Sequence, residues 1–345
     1  MTLKMGFIGF GKSTTIFHLP YVLIRDRYEV KKIYSRSQKP EMEQPYRDQN
    51  IEFVYRLEEL LHDSEISLIT ICTSDDTHFD YAKKCLEHGK HVLVEKPFCY
   101  TGEEAKELLD LAANKNLIIM PYQNRRFDSD FLALQQAISS RKLGRVTEIE
   151  SHFDYYRPEA PDSNSSSRYG GAVYGLGVHL IDQAVSLFGT PKKVYYDIRS
   201  VRNPNNSDDY FHIELFYGEL KYIVKMSHLV KQPYPKFIAH GTGGSFIKYG
   251  IDRQEEDLFS GKSPLEEGFG LDPARSFGRI AWVDAGEEKE ETLLTPKGDY
   301  GTVYDMLYEA VVNGAPKPVT DEEILTVIEI LERGVNGESP KVLSY

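Results

Sequence analysis

Two short stretches carry residue types whose spacing suits chemistry. The first, GFIGFGKSTT at residues 6 to 15, fits two nucleotide-binding devices at once. Counted from Gly6 it is the phosphate-loop pattern GxxxxGK[ST] of proteins that cleave nucleoside triphosphates. Counted from Gly9 it is most of a dinucleotide fingerprint: Gly9 makes the tight turn, Gly11 lets the backbone approach a pyrophosphate, and Thr14 stands where the third glycine would be. The second stretch, HVLVEKPF at residues 91 to 98, ends an apolar run with Glu95, Lys96 and Pro97. One register of the first stretch implies phosphate cleavage; the other implies hydride transfer.

The elements that must position these residues decide the register. A phosphate loop needs a buried strand before its first glycine, but only MTLKM precedes Gly6, interrupted by Thr2 and Lys4. It also needs a strand ending in an aspartate for magnesium, and in ISLITICTSDD the first aspartate, Asp75, comes late. In the other register Phe7 and Ile8 end a buried parallel strand, and Ser13 and Thr14 cap a helix carrying IFHLPYVLI. YEVKKIY, ISLITIC, HVLVE and LIIMPY then read as further strands, with THFDYAKKCLEHG and TGEEAKELLDLAANKN as helices between them. Such alternation predicts a doubly wound parallel sheet, whose ligands lie beyond the carboxyl ends of the strands. Lys96 would therefore face the cofactor crevice, unless it is a solvated turn lysine.

Beyond about residue 123 the pattern changes. LGRVTEIESHFDYYR, KKVYYDIRSVR, DYFHIELFYG, LKYIVKMSHLV, PKFIAHGTGGSFIKYG and GRIAWVDAG read as strands without intervening helices, hence a large, mainly antiparallel open sheet with one partly aromatic face. TVYDMLYEAVVNG and TDEEILTVIEILERG read as closing amphipathic helices. The fold class is α/β: an N-terminal Rossmann domain over 1–122 and a C-terminal α+β domain over 123–345.

A formal charge of -12 would repel a phosphate backbone, so nucleic acid is not an expected partner. No stretch approaches the roughly 20 apolar residues of a membrane span, and MTLKMGFIGF is too short a run for a signal peptide. Cys72, Cys85 and Cys99 are odd in number and without CxxC spacing, as buried reduced thiols of a cytoplasmic protein would be. No metal-ligand cluster is present; His88 and His91 straddle Gly89.

After the second strand the chain reads IYSRSQK, without the carboxylate that usually binds the adenosine ribose of NAD. Ser35, Arg36, Ser37 and Lys39 offer donors instead, and an arginine suits a 2'-phosphate in charge and geometry. NADP is expected over NAD; the other reading of Arg36 is a solvated surface cation.

GFIGFG, ICTSDDTHFDYAKKCLEHGKHVLVEKPF, YQNRRFD, GLGVHLIDQAVSLFG and GDYGTVYDMLYEAVVNGAPKPVT together resemble the Gfo/Idh/MocA family of glucose-fructose oxidoreductase, inositol dehydrogenase and rhizopine-catabolism proteins. The likeness runs along nearly the whole chain. Gly9, Phe10, Gly11, Lys12 and Ser13 are expected to hold the cofactor with Ser35 and Arg36, and the resemblance implies that Thr73 and His78 lie near it. Glu95 and Lys96 would approach the nicotinamide, with the Lys96–Pro97 bond cis, and Asn124 would sit at the hinge. His179 would transfer the proton while Lys96 polarises the substrate oxygen, since an imidazole titrates near about 6.5 and a lysine must be strongly perturbed to act as a base. That division of labour requires ammonium and imidazole within reach of the same substrate carbon. His78 also reads as a structural helix-start residue, and Arg125 and Arg126 as ion-pair partners holding the domains together.

Family members usually read DxGxHxxD, and here Gly175 stands at the first aspartate while Asp182 remains, facing either the site or helix packing. Tyr155, Tyr156, Arg157, Tyr169 and Tyr174 flank the motif; their amphipathic rings suit a carbohydrate-like small molecule, although Tyr156 reads equally as sheet packing. The segment RPEAPDSNSSSRYGG between them has the composition of a covering loop. The expected function is hydride transfer between NADP, or NAD, and a secondary alcohol or carbonyl of a sugar or polyol, by a homodimer joined through the C-terminal sheet. Two rivals are a cofactor-binding sensor without turnover, motivated by Gly175, and an NAD-dependent glycosidase of the same family.

Overall fold

A computed structural model describes residues 2–159 and 167–345. The central part of the expected covering loop, residues 160–166, lies outside the described residues. The chain divides into two compact units: Met1–Asn124 with Leu258–Glu266 and Tyr300–Ile328, and Arg125–Asp257 with Glu267–Asp299 and Glu329–Tyr345.

The first unit is built on a six-stranded parallel sheet of β1 (Leu3–Ile8), β2 (Tyr28–Tyr34), β3 (Glu52–Val54), β4 (Leu68–Ile71), β5 (His91–Val94) and β6 (Ile119–Pro121). Its strand order is β3-β2-β1-β4-β5-β6, so the order reverses between β1 and β4, the place where a doubly wound sheet opens a crevice. Met5, Phe7, Ile8, Leu68, Ile69, Ile71, Val92, Leu93 and Val94 are all buried, as strands covered on both faces require. Helix Gly102–Asn114 starts with a complete capping box between Thr101 and Glu104.

The start of the first helix differs from expectation. Ser13–His18 forms a wide π turn leading into Leu19–Val22, and the widening ends just before Pro20, which has no N–H to give to the preceding turn. No side chain caps it. Thr14, expected as a cap, donates its hydroxyl to the Gly9 carbonyl at 2.8 Å, and this is how a threonine serves at the third glycine position. The Ser13 hydroxyl goes to Glu95 instead.

The second unit holds a nine-stranded sheet. Its strands are β7 (Val146–His152), β8 (Lys193–Arg199), β9 (Tyr210–Tyr217), β10 (Leu220–Ser227), β11 (Phe237–Gly241), β12 (Gly244–Lys248), β13 (Gly278–Asp284), β14 (Glu287–Leu293) and β15 (Lys341–Ser344). The order is β14-β13-β12-β11-β7-β10-β9-β8-β15, and only β7 and β10 pair in parallel. Phe211, Ile213 and Leu215 of β9 and Tyr222, Val224 and Met226 of β10 are buried on the face served by helix Val178–Phe188. The opposite face is more charged than the sequence pattern suggests: Lys221 pairs with Glu148 at 3.0 Å, Lys225 with Glu150 at 2.6 Å, and His152 lies between Glu150 and Asp154. Among the described residues no helix is long and apolar enough to cross a membrane, and no His/Cys/Asp/Glu group could hold a metal ion.

Candidate active site

In the first unit the carboxyl ends of β1, β4 and β5 bring most of the expected cofactor residues to one edge. Gly9 has φ 104°, a left-handed conformation, and a Cβ there would stand 2.4 Å from the Cys72 carbonyl oxygen, so only glycine fits. Around Gly11 the space is open, with nothing within 4 Å of where a Cβ would stand. That opening is what a pyrophosphate lying close to backbone requires, so the turn fits a dinucleotide. The two glycines thus do different work. Phe10 turns inward, packing edge-on to Phe53 and Tyr46, while its carbonyl accepts from Lys39 Nζ at 2.6 Å. Lys12 is exposed.

The loop after β2 carries no carboxylate at Ser35–Ser37. Ser35 is buried and donates to the Ser37 carbonyl at 2.8 Å, fixing the turn on which the exposed Arg36 stands.

After β4, the Thr77 hydroxyl donates to that of Thr73 at 2.7 Å. His78 is buried; its Nδ1 lies 2.7 Å from the Pro97 carbonyl oxygen and its Nε2 3.2 Å from that of Thr73. It therefore ties the loop after β4 to the turn after β5. The Lys96–Pro97 bond is cis.

Glu95 is the most heavily engaged of these residues. Its Oε1 accepts from the Ser13 hydroxyl at 2.5 Å and lies 2.9 Å from His18 Nε2; its Oε2 accepts from the Lys96 amide at 3.0 Å. Burial opposes its charge, but His18, the Lys96 charge and Ser13 outweigh that and hold the carboxyl down at about 2. His18 in turn lies 2.7 Å from the Tyr304 hydroxyl through Nδ1, and its ring sits 4.1 Å from that of Tyr122. Neither His18 nor Tyr304 stood out in the sequence. A histidine inside an apolar helical run gives no local sign that its partners lie at 95 and 304.

Asn124 is buried and ends the first stretch of this unit.

In the second unit His179 is buried in the first turn of helix Val178–Phe188, which follows a π turn over Val173–Gly177. Asp182 is committed to Arg126, accepting from Nε at 2.8 Å and from the second guanidinium nitrogen at 2.7 Å. Arg125 pairs with Asp128 and Glu255, and its carbonyl accepts from Gln183 at 2.8 Å. These partners all lie within the second unit, so both arginines brace it internally.

At Gly175 nothing lies within 4 Å of a Cβ position, and the glycine borders a cavity of about 350 Å³ that Arg157, Arg202, Asp208 and His228 also line. Asp208, another residue the sequence left unmarked, accepts from the Val173 amide at 2.8 Å; burial pushes its carboxyl up to about 6. Burial, with Arg202 and Arg157 nearby, pushes His228 down to about 4. A carboxylate thus borders the space beside Gly175 from another element.

Comparison with known proteins agrees with this architecture. Residues 3–123 match the oxidoreductase family, NAD-binding Rossmann fold, and residues 135–341 its C-terminal alpha/beta domain. The chain belongs to the Gfo/Idh/MocA oxidoreductase family. It is a nicotinamide-dependent oxidoreductase, and the reading as a sensor without turnover is set aside. It is 53% identical to the uncharacterized oxidoreductase YhhX of Escherichia coli (strain K12), covering 100% of this chain and 99% of that one, and the crystal structure of YhhX gives a TM-score of 0.96. An oxidoreductase from Bacillus cereus, 48% identical over 100% of this chain and 99% of its own, gives 0.97. The scyllo-inositol 2-dehydrogenase (NADP(+)) IolW of Bacillus subtilis (strain 168) is 35% identical, covering 99% of this chain and 95% of its own.

Proposed function

We propose that this enzyme is an NADP-dependent dehydrogenase or reductase acting on a secondary alcohol or carbonyl of an inositol-like polyol. The observation that carries the reading is the edge formed by the carboxyl ends of parallel strands β1 and β5, where an open glycine turn and the Glu95–Lys96 pair share one sheet. The similarity to a relative named for scyllo-inositol and NADP supports the substrate class.

In this reading Gly9 to Ser13 hold the pyrophosphate, Ser35 and Arg36 the adenosine 2'-phosphate, and Thr73, His78 and Asn124 shape the remainder. Bound there, the cofactor supplies the hydride acceptor or donor. Lys96 donates a hydrogen bond to the reacting oxygen, and His179 takes the hydroxyl proton in oxidation and returns it in reduction. We assign the two domains to 1–122 and 123–345, the enzyme to the cytoplasm on its three buried cysteines, none of them in a disulfide, and its assembly to a homodimer through the nine-stranded sheet.

The test is turnover of NADP+ with scyllo-inositol and a panel of polyols. Lys96→Ala and His179→Ala are each expected to lower kcat by about 10²–10⁴-fold while leaving NADPH binding nearly intact. Full activity in either variant would overturn its assigned role. Hydrolysis of a glycoside, offered with NAD+ in a parallel assay and proceeding without net reduction of the cofactor, would point to the glycosidase instead.

A further inference from the structure

Four side chains from distant parts of the chain meet inside the first unit: Ser13 and His18 from the first helical turns, Glu95 from the end of β5, and Tyr304 from helix Thr302–Asn313. His18 and Tyr304 are fully buried. Burial raises the Tyr304 hydroxyl far above its ordinary range, so it stays an O–H donor. Donated to His18 Nδ1, that proton leaves Nε2 as the N–H that faces Glu95. Both oxygens of Glu95 are then engaged, one by Ser13 and His18 and the other by the Lys96 amide. Nothing in the cofactor fingerprint requires this arrangement, and it ends on the lysine.

We infer that His18 and Tyr304 are positioning residues for Lys96: through Glu95 they fix one ionised carboxylate in one orientation at the backbone of the lysine. A carboxylate so held favours the cationic form of a neighbouring amine, and its hydrogen bond to the Lys96 amide sets the direction in which that side chain leaves the chain. Lys96 is thereby kept as a hydrogen-bond donor, with proton transfer left to another group. The inference rests on the role given to Lys96 above. The titratable groups that face Glu95 are His18, Lys96, Cys72, Tyr122 and Tyr304.

The deciding measurement needs no substrate. In protein carrying glutamate labelled with carbon-13 at the side-chain carboxyl, the Glu95 signal is identified by its loss in Glu95→Gln and followed against pH. Wild-type Glu95 is expected to stay ionised to the lowest pH at which the protein remains folded. In His18→Phe, which keeps a ring against Tyr122, the midpoint should rise by about one unit or more, and in Tyr304→Phe by less. His18→Gln, which restores an N–H, should bring it back toward wild type. With NADP+ and scyllo-inositol, kcat should fall about tenfold or more in His18→Phe, NADPH affinity should change by less than about threefold, and the acid limb of the pH profile should move up. An unmoved Glu95 titration in folded His18→Phe or Tyr304→Phe would overturn the inference. If Lys96→Ala remains active, the functional reading fails by itself, and the Glu95 titration still reports on the network.

Discussion

Glu95 is a mostly buried carboxylate whose charge is kept by neighbours, and that makes it a measurable feature of stability. Its pKa is depressed in the folded protein, to about 2 from an ordinary 4.5, so its contribution is complete well above 4.5 and is lost as the pH falls toward 2. By pH 4 the unfolded chain already binds part of a proton that the folded one refuses, a loss of about 1 kcal/mol from this group. Glu95→Gln should therefore unfold at a lower temperature at neutral pH, and the gap to wild type should narrow by about 1–2 °C between pH 6 and pH 4 in thermal scans. Arg36 provides a second test. If it holds a 2'-phosphate, Arg36→Ala should weaken NADPH binding by about 10- to 100-fold and leave NADH unchanged, as read by fluorescence titration. At this scale the sequence was legible where a motif puts its chemistry side by side, as in Glu95 and Lys96. His18, Tyr304 and Asp208 were illegible because their meaning lies in partners supplied by distant segments.

At the scale of the element, the glycine turn separates folding from binding. Gly9→Ala places a side chain in a left-handed conformation against the Cys72 carbonyl and should cost on the order of 2 kcal/mol or more, seen as a lower Tm. Gly11→Val sets its Cβ where nothing lies within 4 Å, so its stability should stay within about 0.5 kcal/mol of wild type while NADPH affinity falls about tenfold or more. Gly175→Asp has the same clear space and should fold normally; a change in kcat or KM toward polyols would show that the opening beside it belongs to the substrate. Most strands of both sheets were legible because burial on both faces or on one leaves its period in the letters, whereas β14, EEKEETL, is exposed along most of its length and shows none. β3 and β15, of three and four residues, are too short to carry a period. Capping was misread because Lys12 takes the N-cap position, which leaves Ser13 and Thr14 inside the turn, where their hydroxyls donate to Glu95 and to the Gly9 carbonyl.

At the scale of the whole molecule, the Rossmann unit is completed from the far end of the chain. Tyr28 donates its hydroxyl to the Tyr304 carbonyl at 2.7 Å, and Arg25 forms a two-pronged pair with Asp305, both bonds 3.0 Å. A fragment of residues 1–122 lacks these contacts and the buried faces of helix Thr302–Asn313. It should show no cooperative thermal transition by circular dichroism, whereas the full chain does. Composition marks changes along the sequence, whereas packing gathers segments that are far apart in it, so this completion left no local sign. The two units are assembled from six alternating segments, so the backbone passes from one to the other five times. An engineer wishing to graft this protein's nucleotide specificity onto a cousin could not transplant one contiguous cassette. The donor would have to contribute 258–266 and 300–328 along with its opening third, or the chimera would inherit a mismatched seam.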